Sequence, residues 1–161
     1  MTDSRIEKLA STLVNFSTEV KAGDNVLISA MNGCEALTKA LIRAVYTAGG
    51  RPFVWQSASE VERALALGCD EEQLKIRAEA DALLMSKMQC YIGYTGIENN
   101  FEMADVPPER ASLIARLYGR PVHTDLRVPR TRWCVLRYPT RAMAQMASMS
   151  TEAFEDFYFN V

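Results

Sequence analysis

Residues 25–30 read NVLISA, and this short run decides the class of fold that the chain can adopt. A nearly continuous apolar run of this length is typical of a strand that is covered on both faces. A helical pattern over residues 35–48 follows it and ends at Gly49-Gly50, and a second apolar run occupies residues 52–56. Strand, helix and strand in this order predict two parallel strands, because the helix returns the chain to the same edge of the sheet.

The same alternation continues through the rest of the chain. Further strand candidates occupy residues 89–94, 122–128 and 133–138. A helix is expected to begin at Pro107-Pro108 and to end at Gly119. The sequence therefore predicts an α/β protein, a three-layer α/β/α sandwich with a mainly parallel sheet of about five strands. The segment before that helix, residues 95–107, is the longest irregular one, and loops of this length are often functional.

Composition excludes several classes of protein. The chain has 161 residues, 48% of them hydrophobic and 24% charged, which is typical of one globular domain. A net charge of −2 argues against nucleic acid as a partner, because phosphate binding needs a basic face. No apolar run approaches the roughly 20 residues that span a bilayer, so no membrane association is expected. Residues 1–10 are mostly polar and do not have the pattern of a secretory signal. The four cysteines are widely spaced and form no C-x-x-C pair, which predicts free thiols. Both features predict a cytoplasmic location.

Catalytic and metal-binding patterns are missing from the sequence. Hydrolysis by a bound metal needs three or more convergent ligands, and the chain has one histidine, His123, and no H-E-x-x-H motif. His123 falls in a predicted strand and is expected to be structural. The sequence also contains no nucleophile elbow, no P-loop and no G-x-G-x-x-G after the first strand. We therefore assign no catalytic, metal-binding or cofactor-binding residue.

The best candidate for an anion site is the turn at residues 30–35, AMNGCE, which follows the first strand and opens a helix. Free N–H groups at a helix start can hold phosphate or carboxylate. However, Glu35 would repel an anion there. An ordinary strand-to-helix turn is the preferred interpretation, since Asn32 and Gly33 provide the backbone angles that such a turn needs.

The C-terminal segment is unusually rich in large apolar side chains. Thr140 and Ser150 can each cap a helix. Helical spacing places Met146 and Met149 on one face and Phe154 and Phe157 on the next. Such a surface has to be buried, against a partner, against a further part of a longer polypeptide, or in the core of this domain.

Residues 132–150 resemble a known family. The residues RW at 132–133, YPT at 138–140, AQMA at 144–147 and MS at 149–150 resemble the R-W-x-x-x-x-Y-P-T-x-x-x-A-Q-x-A-x-M-S segment of the thermophilic-aminopeptidase family, which includes the aminopeptidase T, aminopeptidase S and PepS types. Residues 21–28, KAGDNVLI, look like the family's K-x-G-(D/E)-x-V-L-I strand entry. Residues 48–52 look like its A-G-A-x-P turn.

This resemblance implies what the intact protein does. Family members are longer cytoplasmic metallo-exopeptidases that remove N-terminal residues from peptides and usually act as dimers. Two divalent ions, zinc or cobalt, are held by His, Glu and Asp ligands in the C-terminal domain. Residues 1–161 are then a single N-terminal α/β domain, non-catalytic by itself, whose partners are the C-terminal catalytic domain and a second copy. Residues 140–161 are then an interdomain segment, and the implied contact residues are Tyr138, Pro139, Thr140, Met146, Met149, Phe154 and Phe157.

Two alternatives from other classes stay open at this point. The first is a flavodoxin-like module that binds a small molecule or a nucleotide, for which the weak Asn32-Gly33 turn is the only support. The second is a structural dimerisation domain, for which the aromatic C-terminal segment is the main argument.

Overall fold

The computed structural model describes residues 3–160. The strands are β1 Asn25–Met31, β2 Arg51–Ser57, β3 Cys90–Thr95 and β4 Arg132–Arg137. The helices are α1 Ser4–Thr12, α2 Glu35–Thr47, α3 Ser59–Gly68, α4 Glu71–Met85, α5 Pro108–Ile114, α6 Val128–Arg130, α7 Arg141–Met146 and α8 Thr151–Asn160. A π-helical turn, Leu13–Ser17, continues α1, and a longer π-helical segment, Ala115–Arg127, continues α5.

All four strands are parallel and follow the order β2-β1-β3-β4. β1 lies in the centre, and its residues Val26, Leu27 and Ile28 are fully buried. This is the doubly covered strand that the NVLISA run predicts, and the helices on both faces confirm the three-layer α/β/α architecture.

The fifth predicted strand, residues 122–128, is wrong, so the sheet formed by residues 3–160 has four strands and not about five. This stretch belongs to the π-helical segment and the start of α6. Tyr118, Val122 and Leu126 lie four residues apart and pack together against α4. That spacing is a helical period, and it outweighs the β-branched residues that suggested a strand. Gly119 consequently lies inside the helical segment and does not end it.

Two helical layers enclose the sheet. The first layer consists of α1, α2 and α8, and it covers the face that carries Val26, Ile28 and Ile92. The second layer consists of α4 and the π-helical segment, and it covers Leu27 and Tyr91 on the opposite face. Each large side chain buried in this way contributes about 1.5–3 kcal/mol. The second layer leaves the carboxyl-terminal half of its face open, and this opening determines where a ligand has access.

Arg132, the first residue of the family-like segment, has a structural role. Its Nε donates a hydrogen bond to Thr18 O at 2.9 Å, and its Nη2 donates to Asp24 and, at 3.2 Å, to Cys90 Sγ. The start of β4 is thereby tied to the turn before β1. Burial raises the pKa of the Cys90 thiol to about 11, and the same cause raises the pKa of Cys134 to about 11. Both cysteines are free thiols, as the sequence predicts.

Among residues 3–160, no helix combines the length and the apolar character needed to cross a bilayer.

Candidate functional site

The strand order reverses between β1 and β3, and in parallel sheets a ligand crevice forms at the carboxyl ends of the strands at such a point. In this chain the first-layer side of the crevice is filled by Tyr94. The Tyr94 hydroxyl donates to Cys34 O at 2.8 Å and lies 2.6 Å from Thr38 Oγ1, at the start of α2. A Cβ on Gly33 would lie 2.8 Å from that hydroxyl, so the packing is tight. Tyr94 therefore fills the part of the crevice that lies between the sheet and the start of α2.

The turn at residues 30–35, the candidate anion site, links the junction between β1 and α2 to the junction between β2 and α3. Asn32 has a φ of 49°. Its Oδ1 accepts a hydrogen bond from Ser59 N at 2.8 Å, and its Nδ2 donates to Ser59 Oγ at 2.7 Å. Asn32 thus caps α3, a helix to which it does not belong. These contacts support the preferred interpretation of residues 30–35 as an ordinary structural turn.

The open part of the sheet lies on the second-layer face, where a cleft of about 650 Å³ reaches the carboxyl ends of the strands. Its floor contains Ser29 and Gly93, the small residues of the two central strands. Trp55, Tyr118 and Val135 form walls around them. The size and the aromatic lining are typical of a cleft that takes a small ligand or a short piece of peptide.

One wall of the cleft holds two carboxylates and one guanidinium that are bonded to one another or to a tyrosine. Both Glu62 oxygens accept from the Arg77 guanidinium, at 3.0 and 3.1 Å, and Arg77 Nε lies 3.7 Å from Asp81 Oδ2. The Tyr118 hydroxyl donates to Asp81 Oδ2 at 2.7 Å, and Arg77 lies over the Tyr118 ring. The hydrogen bond to Glu62 raises the pKa of Arg77, while burial and then the Asp81 carboxylate raise the pKa of Tyr118. These contacts fix α3, α4 and the π-helical segment relative to one another.

Sequence reasoning missed this group. Its four residues come from three elements, and the only local signal is the spacing of Arg77 and Asp81, which places them on one face of α4.

His123 lies beside the same cleft, in the π-helical segment and not in a strand. Its Nδ1 accepts a hydrogen bond from Arg127 Nε at 3.1 Å. The Arg127 guanidinium lies over the rings of Tyr91 and Trp133, with centroid distances of 5.0 and 4.7 Å. Its Nη1 is buried and has no hydrogen-bond partner in the part of the chain that the structure describes. Burial and then the Arg127 charge lower the pKa of His123, so the imidazole is neutral at pH 7.

Acidification is expected to destabilise the fold through His123. A histidine in the unfolded chain binds a proton below about pH 6.5, whereas the folded state resists protonation. The stability that the neutral imidazole supports is therefore present above that pH and is lost as the pH falls below it. We expect the melting temperature to fall less between about pH 7 and pH 5 in His123→Asn than in the parent chain. Identical pH slopes in thermal melts of the two proteins would contradict this.

The described residues do not fit a metal ion. Within residues 3–160, no group of three His, Cys, Asp or Glu side chains is placed to hold one. The acids of the cleft already bond to Arg77 and Tyr118, and Arg127 places a positive charge against the histidine. We therefore derive no metal-dependent step in this part of the protein.

The predicted interdomain residues divide into a buried and an exposed set. Pro139 and Thr140 are buried, and Thr140 Oγ1 donates to Ile97 O at 3.2 Å and accepts from Met143 N at 3.3 Å as the cap of α7. Tyr138 is half-buried against Tyr94 and Phe159.

The other predicted contact residues lie on two short helices rather than on one. Ser148, with a φ of 56°, lies at the break between α7 and α8. Phe154 is buried within the chain's own fold, which for this side chain agrees with the alternative of burial in the core of the domain. Met146, Met149 and Phe157 remain exposed, by 70%, 36% and 58%.

Comparisons with known proteins agree with this architecture. Among solved structures, wild-type AmpT from Thermus thermophilus matches with a TM-score of 0.65 and 18% identity, over 84% of this chain and 36% of that chain. This likeness shows a shared fold, and this chain spans about a third of the length of its relative.

Two other solved structures match less well. The A domain of carboxylic acid reductase from Segniliparus rugosus, in complex with AMP and a co-purified carboxylic acid, has a TM-score of 0.35 and 16% identity, over 83% of this chain and 20% of that one. YbdL from Escherichia coli has a TM-score of 0.33 and 16% identity, over 83% and 27%. TM-scores at this level do not indicate a shared fold.

No curated protein matches the sequence. The model of one protein family, described as thermophilic metalloprotease (M29), matches residues 2–161. Because this match extends over almost the whole chain, the protein belongs to the thermophilic metalloprotease (M29) family.

Proposed function

We propose that this chain is the N-terminal, non-catalytic domain of a longer metal-dependent aminopeptidase that removes N-terminal residues from peptides. Membership of a metalloprotease family over residues 2–161 supports the reaction class. One observation carries the non-catalytic role: the only histidine, His123, accepts a hydrogen bond from the Arg127 guanidinium, whose charge repels a metal cation. Under this proposal two divalent ions, zinc or cobalt, are held by ligands in a C-terminal domain.

The cleft on the second-layer face is the surface through which this domain would help to enclose a peptide. It opens toward the carboxyl ends of the strands, where ligand crevices of parallel sheets collect. Ser29 and Gly93 keep the floor low enough for an extended chain, and Trp55 provides an apolar wall. These features support a role in substrate enclosure rather than in bond cleavage.

The exposed side chains of Met146, Met149 and Phe157 are the part of the C-terminal segment that is available for contact with the catalytic domain or with a dimer mate. Burying one such side chain is worth about 1.5–3 kcal/mol, so covering the three together favours association. Under this proposal the protein is a cytoplasmic homodimer. The free thiols of the chain support this location.

The chain alone is expected to hydrolyse no aminoacyl-peptide or chromogenic aminopeptidase substrate, with or without added zinc or cobalt. The physical reason is that no ligand set converges within residues 3–160. The test is a turnover assay on the purified 161-residue chain, with a chelator-treated sample as the control. Metal-dependent turnover that co-purifies with the chain and disappears on chelation would contradict the proposal.

The nucleotide-binding alternative is not favoured, because Tyr94 fills the crevice beside the start of α2. Thermal melting with and without nucleotides separates the two functions. An unchanged melting temperature is expected, and a rise of several degrees on addition of a nucleotide would favour the alternative over an aminopeptidase domain.

A further inference from the structure

β4 is an outer strand, and within residues 3–160 no strand lies beside its far edge. Arg132 N donates to Gln89 O at 2.9 Å, and Tyr138 N donates to Thr95 O at 2.8 Å. Along a parallel strand, alternate residues direct both their N–H and their C=O groups toward the same neighbouring strand. Every second residue between Arg132 and Tyr138 therefore directs these groups away from β3, toward the outer edge. These outward residues are Trp133, Val135 and Arg137.

The outward residues also have exposed side chains. Trp133 and Val135 are 40% and 59% exposed, on the face of the sheet that carries the cleft. The Tyr158 hydroxyl donates to Arg137 O at 2.8 Å and occupies that carbonyl. The edge therefore offers the N–H and C=O groups of Trp133 and Val135 together with apolar side chains, which is the usual template for pairing with another strand.

The helices that follow β4, α7 and α8, do not lead the chain to a further strand beside this edge. The crossover from β1 to β2 runs over the first layer, and the crossover from β3 to β4 runs over the second layer in the opposite direction. Two crossovers of the same handedness that lead in opposite directions along the sheet must pass over opposite faces of it. α8 lies on the first layer, where Phe159 packs, so a crossover through α8 leads back toward β2. The free edge of β4 is thus left for a segment from elsewhere.

The charges around this edge select the partner. Arg130, Arg137 and Arg141 are exposed, and none of them forms an ion pair in the part of the chain that the structure describes. The carboxylate of Glu98 bonds nearby to Ala142 N at 3.4 Å. A second copy of β4, paired antiparallel through Trp133 and Val135, would place Arg137 opposite Thr131 and would bring no carboxylate to the arginines, whereas an acidic segment would.

We propose that the outer edge of β4 accepts an extended, acidic polypeptide segment as an added strand. The segment would exchange backbone hydrogen bonds with Trp133 and Val135, the mode of strand addition in which the main chain supplies affinity. Its acidic side chains would lie beside Arg137, the arginine within the outward part of β4, while Arg130 and Arg141 precede and follow the strand in the chain. This surface exists in the isolated chain, whatever reaction the longer polypeptide performs.

The test uses the 161-residue chain and a fluorescein-labelled peptide of alternating threonine and glutamate that matches the six residues of β4 in length. Fluorescence anisotropy is expected to show saturable binding that weakens as salt is added. A peptide of alternating threonine and lysine, the matched control, is expected not to bind. Absence of binding by the glutamate peptide, or equal binding by both peptides, overturns the proposal.

Two variants locate the binding at the edge. Val135→Pro removes an outward N–H group and leaves the inward hydrogen bonds of β4 in place, a substitution that edge strands tolerate. It is expected to weaken binding roughly tenfold, the effect of one lost hydrogen bond at the upper end of its range. Arg137→Glu is expected to abolish the preference for the glutamate peptide and to favour the lysine peptide.

Melting temperatures close to that of the parent chain establish that both variants are folded. Binding that Val135→Pro leaves unchanged lies elsewhere on the molecule and overturns the proposal. A mass in solution that halves in Val135→Pro identifies a second copy of the chain as the occupant, which overturns the acidic partner.

Discussion

Phe154→Ser is expected to lower the free energy of unfolding by about 3 kcal/mol, the cost of removing a buried aromatic side chain from a packed site. Phe154 is only 8% exposed although it lies on the last helix. Phe157 lies three residues later on the same helix, α8, and provides a matched control.

Phe157→Ser removes the same ring from a position that is 58% exposed. We expect the melting temperature to stay nearly unchanged, since exposed substitutions usually alter stability by less than about 0.5 kcal/mol. If Phe157 takes part in association, this variant should also lower the mass in solution at equal protein concentration. The measurements are thermal melts and light scattering. Equal losses of melting temperature in the two variants would show that Phe154 is no more deeply buried than Phe157.

Gly96→Ala is the second substitution with a large expected effect. A Cβ at residue 96 would lie 2.5 Å from Asn32 O, a backbone atom that cannot rotate away. Asn32 is itself held, because its N donates to Ser57 O at 2.8 Å and its side chain caps α3. The carboxyl ends of β1 and β3 would have to separate, and overpacking of this kind costs about 1–3 kcal/mol.

The matched control for this prediction is Gly68→Ala. Gly68 ends α3, and a Cβ there meets nothing within 4 Å. Alanine is favoured over glycine in a helix by up to about 1 kcal/mol, so this variant should melt at the same temperature or slightly higher. Chemical denaturation of both variants checks the pair. An unchanged midpoint in Gly96→Ala would mean that residue 96 and Asn32 O are not in close contact.

Much of the fold follows from local pattern. The β1–α2–β2 unit is predicted from residues 25–56 because each element carries its own period and its own end signal. Asp70 accepts a hydrogen bond from Gln73 N at 2.8 Å, and Ser150 accepts one from Ala153 N at 3.2 Å, each at the start of a helix as a capping residue should. Signals of this kind lie within four residues of the atoms they bond, so a single sequence contains them completely.

Residues 122–128 show where local pattern is insufficient. Val122 and Leu126 have the spacing of a helix and the composition of a strand, and only the α4 surface that they meet decides between the two. The fifth predicted strand was wrong for this reason.

The sequence by itself determined the α/β class and, through the resemblance of residues 132–150, a family that the match over residues 2–161 supports. Only the tertiary structure decided where a ligand has access. Tyr94 closes one side of the crevice through bonds to residues about 60 positions earlier, and the cleft wall joins Glu62, Arg77 and Tyr118 from three elements. Such contacts depend on how crossovers bring distant segments together, and the free edge of β4 depends on the layer in which α8 packs. Local periodicity carries no information about either, because both arise from the packing of segments that are far apart in the chain.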